Sequence, residues 1–64
     1  MRKHNAEVTA SNLIEGWING NISAVVDELF SYDKKFALFV VAKMVSDFQS
    51  PDREAFIHIL ANRL

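Results

Sequence analysis

The residues able to do chemistry are few and scattered. His4 and His58 are the only histidines, there is no cysteine, and no third ligand stands at a zinc-binding spacing from either histidine. Glu54 and His58 lie four residues apart, a spacing that puts an acid and an imidazole one helical turn apart, where they could share a proton or a metal ion. The same spacing is that of an ordinary surface pair, and on a helix whose apolar residues fall on the other side it reads as one. Asp27-Glu28 together with Glu15 could supply paired carboxylates for hydrolysis. That chemistry needs a cleft, which four short helices hardly enclose, so a solvated face is the expected reading. Gly16 and Gly20 belong to no phosphate-binding fingerprint: no strand precedes them and no P-loop lysine and hydroxyl follow. Asn21-Ile22-Ser23 matches a glycosylation acceptor, but it opens a helix in a chain without a secretory pattern. No catalytic residue, cofactor site, metal site or small-molecule substrate is expected, and the chain is not expected to be an enzyme.

Composition narrows the class further. Sixty-four residues make one domain, and at this size only about 60% of the unfolded chain's surface can be buried. Half the residues are hydrophobic, five of them Phe, which is more apolar surface than so small an interior accommodates. Without cysteine, neither a disulfide nor a thiolate metal site can supplement the core, which leaves helix packing or oligomerisation. The longest apolar run, Phe36 to Ala42, is far below the roughly 20 residues that span a bilayer. Met1 to Ala10 is too polar for a secretory signal, so a cytoplasmic location is expected. The net charge of -1, with basic residues scattered among acids, lacks the field that draws a protein to phosphates.

The elements that must position these residues are helices. Met1 to Val8 shows no apolar period and suits a mobile arm. With Thr9 or Ser11 as N-cap, Ala10, Leu13, Ile14, Trp17 and Ile18 form one helical stripe, ended by Asn19-Gly20. Gly16 inside that helix marks either a close helix crossing or an unexplained exposed glycine. Asn21 can cap a second helix whose stripe is Ile22, Val25, Val26, Leu29 and Phe30. Asp33 is a candidate cap for a third helix reaching about Gln49, although Lys34 and Lys35 in its first turn oppose the helix dipole. Ser50-Pro51 supplies a cap and a first-turn proline for a fourth helix, with Phe56, Ile57, Leu60, Ala61 and Leu64 as its apolar side. The chain is therefore predicted to be all-α, a small compact bundle of three or four short helices within a single domain, completed within itself or by homodimerisation.

Phe36 to Phe48 is the most apolar stretch and the organising helix. Val40, Val41, Met44, Val45 and Phe48, with Ala37 and Leu38, are predicted to face the core. Phe36 and Phe39 fall off that side and form, with Lys43 and Ser46, a second stripe. Either another helix of the chain covers it, or it is a protein interface with Phe36 and Phe39 as aromatic anchors and Lys43 at the rim, shared with a second copy or another protein.

A helix-turn-helix regulator is the alternative, because a very short turn joins the first two helices. The second helix, the reader by position, carries two acids and no Arg, Lys or Gln, so Lys34 and Lys35 would have to make the phosphate contacts and nucleic acid is disfavoured as a partner. The size of the chain and its Ile18-Asn19-Gly20-Asn21 turn resemble small open reading frames of phages and other mobile elements, a resemblance that transfers no site. The functional expectation is a small non-enzymatic interaction or regulatory protein acting through an apolar helical surface.

Overall fold

Asn5 opens the first helix. In the computed structural model, which describes residues 5–63, its Oδ1 accepts from the backbone N–H groups of Glu7 (2.8 Å) and Val8 (3.4 Å). Glu7 adds a negative charge to the first turn, where the dipole favours it. Helix α1 therefore spans Ala6–Ile18, starting before the expected caps Thr9 and Ser11. Of the expected mobile arm over residues 1–8, Met1 to His4 lie outside the described residues, and Ala6 to Val8 form the first helical turn.

Gly20 ends α1 with φ +90°, in the left-handed region where a side chain would be strained. Its N–H donates to the Trp17 carbonyl (3.0 Å), and the Asn21 N–H donates to the Gly16 carbonyl (2.9 Å), satisfying two carbonyls of the last turn in a Schellman motif. Helix α2, Ile22–Ser31, follows at once. Asn21 precedes it as expected, though its side chain makes no capping hydrogen bond. After Tyr32, the Asp33 carboxylate accepts from the Lys35 N–H (3.2 Å) and opens α3, Lys34–Asp47. Helix α4 is Asp52–Arg63, so Pro51 stands just before the helix rather than at its first position.

The structure is thus a bundle of four helices, with no strand among the described residues. Helices α1 and α3 make the most extensive contact, and α4 packs on α3. Trp17 from α1, Phe48 at the end of α3 and Phe56 from α4 meet as three rings with centroids 5.2 to 5.5 Å apart, in tilted and edge-to-face arrangements that aromatic rings prefer. Ala10, Leu13, Val25, Val26, Leu29, Val40 and Met44 complete the buried set, and no polar residue among those described is buried. Gly16 is a close crossing: a Cβ there would stand 3.0 Å from Val25 Cγ2 of α2.

Each helix departs from its expected apolar stripe: Ile18 at the end of α1 and Phe30 near the end of α2 are exposed. Leu38, predicted to face the core, is 63% exposed. It precedes Val40 by two residues, about 160° around the helix, and the line of Val40, Met44 and Phe48 is the one that meets α1 and α4. On α4, Phe56 sets the buried side, so Ile59 and Leu60, one turn on, pack inward while Ile57 and Ala61 stay exposed. Leu64, the last residue of the expected stripe, lies outside the described residues.

Candidate functional site

Helix α3 divides the residues of its expected second stripe. Phe36 is half-buried against the core, its ring edge-on to Tyr32 with centroids 5.3 Å apart. Lys43 is half-buried too, with Nζ 3.8 Å from Glu7 Oε2 on α1 and 3.8 Å from Asp47 Oδ1 one turn along α3. Phe39 projects outward at 62% exposure. Phe36 and Lys43 are thus engaged within the chain, and Phe39 has as its outward neighbour Leu38, which the sequence pattern assigned to the core.

Leu38, Phe39, Ala42 and Ser46 are all exposed, and their spacing sets them along one side of α3. Two large apolar groups stand near one end and two small residues follow. Lys35 is the charged residue on this side, in the first turn, where its charge opposes the dipole. Leu38 also borders a groove between α2, α3 and α4, of about 430 Å³, which Leu29, Phe30, Ala37, Val41 and Leu60 line as well. Lys34 is the charged residue in that lining. Arg63 on α4 lies over the Phe30 ring, 5.3 Å from its centroid, and its Nη2 stands 3.0 Å from Asp27 Oδ1. The outward side of α3 and the groove therefore form one continuous apolar region joined at Leu38. Its signal in the sequence was the two-residue offset between Leu38 and Val40.

The polar residues singled out for chemistry are separately occupied or apart. Asp27 pairs with Arg63, and Glu28 accepts the Tyr32 hydroxyl, so the two adjacent carboxylates have different partners. Burial, and then the Glu28 carboxylate it donates to, push the Tyr32 phenol up to about 12, which keeps it a proton donor to Glu28. Glu54 faces Ser50, with Oε2 3.5 Å from the hydroxyl, and His58 is exposed. No group of three His, Cys, Asp or Glu side chains among the described residues is placed to hold a metal ion. Among the described residues, no helix is long and apolar enough to cross a membrane.

Helix α2 exposes Ser23, Asp27, Glu28 and Ser31. Its outward side presents carboxylates to any approaching polyanion, and the cations closest in sequence, Lys34 and Lys35, sit on the next helix. No protein-family model, curated protein or solved structure matches the chain.

Proposed function

We propose that this chain is a small non-enzymatic interaction or regulatory protein that works through the outward side of α3. One observation carries the reading: Leu38 and Phe39 are adjacent, each more than 60% exposed, on a helix side that continues through Ala42 and Ser46 and carries Lys35 in its first turn. Covering one large apolar side chain is worth about 1.5–3 kcal/mol, so these two could drive association. A 64-residue chain that leaves both in water forgoes that stabilisation unless a partner supplies it. The groove beside Leu38 extends the same apolar region toward α4 and enlarges the area a partner could cover. The small all-helical build suits the product of a phage or another mobile element acting in the cytoplasm, where a short chain works by binding rather than by turnover.

The test is affinity capture from the source cells with the wild-type chain and with the double variant Leu38→Glu, Phe39→Glu, after circular dichroism has checked that both are equally helical. Bound protein should be recovered with the wild type and lost with the variant. Equal recovery would remove α3 as the working surface. The helix-turn-helix alternative predicts duplex binding that weakens steeply with salt, and an unshifted duplex at low salt rules it out.

A further inference from the structure

We infer that Asn19 is a modification site, a side-chain amide that the Gly20 nitrogen converts to an acid when the corner between α1 and α2 opens. Of the chain's asparagines, Asn19 is the one followed by glycine. Asn5, Asn12, Asn21 and Asn62 precede Ala6, Leu13, Ile22 and Arg63, whose Cβ atoms crowd the nitrogen that would attack. Gly20 has none. In the reaction the Gly20 nitrogen gives up its proton to water and attacks Asn19 Cγ. The new N–Cγ bond closes a cyclic imide while the Cγ–Nδ2 bond breaks, and Nδ2 takes a proton back from water and leaves as ammonia. A water molecule then adds to one of the two imide carbonyls and opens the ring. The product is aspartate, or isoaspartate with an extra methylene in the main chain.

The closed corner blocks this step although Asn19 is exposed to water. With ψ of 0° at Asn19, the Gly20 nitrogen eclipses the Asn19 nitrogen rather than Cβ, which holds it away from Cγ. Its N–H is also engaged by the Trp17 carbonyl (3.0 Å). Turning ψ toward Cβ breaks that bond and carries Asn21 off the Gly16 carbonyl (2.9 Å), so attack requires the corner to open. Once converted, the corner cannot reclose as before. Helix α1 has no basic residue in its last turn, so an aspartate at position 19 adds a negative charge where the dipole disfavours it, four residues after Glu15. Isoaspartate lengthens the main chain inside the turn that the two hydrogen bonds span. Opening of this corner is thereby recorded in covalent form.

The test is peptide mapping by mass spectrometry of the intact chain after incubation in mildly alkaline buffer, without urea, in urea below the unfolding midpoint and in urea above it. Above the midpoint, Asn19 should show the mass gain of an amide converted to an acid before any other asparagine. Without urea the conversion should be at least about tenfold slower, because only the opened fraction reacts, and intermediate urea should speed it. Asn19→Gln, whose longer side chain must close a larger ring, should lose the conversion. Converted chain, separated by its extra negative charge, should melt below its parent. Equal rates with and without urea overturn the gating by the corner, and faster conversion at another asparagine overturns the site. An unchanged melting temperature of the converted chain overturns the lasting record.

Discussion

Replacing Gly16 by alanine sets two effects of known sign against each other. Alanine is favoured over glycine in a helix interior by about 1 kcal/mol, because glycine loses more backbone freedom on folding. Against this, the new methyl would sit 3.0 Å from Val25 Cγ2, closer than ordinary van der Waals contact. Val25 is buried, and a β-branched side chain in a helix has one strongly preferred rotamer, so it cannot swing aside. Helices α1 and α2 must then move apart by a few tenths of an ångström at the point where the Gly20 turn holds them together. Overpacking of this kind costs about 1–3 kcal/mol, so the net expectation is a loss of about 1 kcal/mol. For a domain of this size that lowers the melting temperature by about 4–8 °C. In a Val25→Ala background the clashing methyl is absent, and the same Gly16→Ala change should stabilise by about 1 kcal/mol. The coupling of about 2 kcal/mol is well above the usual scatter of additivity, and urea unfolding followed by Trp17 fluorescence would measure it. If Gly16→Ala stabilises both backgrounds equally, the close crossing is not a constraint and the reasoning fails.

Phe56→Ala should cost about 3–5 kcal/mol, a large part of the stability a 64-residue chain can have, while Ile57→Ala, one residue along but exposed, should cost less than about 1 kcal/mol; urea midpoints for the pair test the register of α4. Tyr32 is the only tyrosine, so its tyrosinate absorbance can be followed alone, and the midpoint should lie near 12. Because the folded state holds this proton above the ordinary value of 10, the stabilisation is complete below that value and is lost as pH rises toward 12; Glu28→Gln should bring the midpoint partway back, since burial remains. Asn5→Ala should cost about 1 kcal/mol by leaving the Glu7 and Val8 N–H groups uncapped, which thermal unfolding would register.

Helix count and the first corner were legible because their signals are local. Asn19-Gly20 predicts a left-handed turn from chemistry alone, and Asp33 predicts a cap despite the lysines behind it. The start of α1 was less so: Asn5 sits in a polar run without apolar period, and its capping role shows only once Ala6 and Ala10 are seen to pack. Which side of α3 and of α4 faces inward was only partly legible. A nearly all-apolar helix offers several plausible faces, and the choice belongs to its neighbours. Val40, Met44 and Phe48 meet the other helices, so Leu38 is turned out and Phe36 is covered by Tyr32. The fate of Lys43 depended on Glu7, thirty-six residues away in a segment expected to be mobile. Long-range placement of this kind leaves no periodic trace.

The two arginines of α4 hold that helix by unlike means. Arg53, at its root, donates from Nε to the Val45 carbonyl (3.0 Å) and from Nη2 to the Phe48 carbonyl (2.9 Å), a clasp on the end of α3 that needs no second charge. Arg63, at its tip, relies on Asp27, an exposed ion pair that dissolved salt weakens, and on the Phe30 ring. Ionic strength therefore acts more strongly on the arginine contacts at the tip of α4 than on the clasp at its root. As salt rises the helix should loosen from its tip while its root stays clasped, drawing Leu60 away from Leu29 and Phe30 and widening the groove they share.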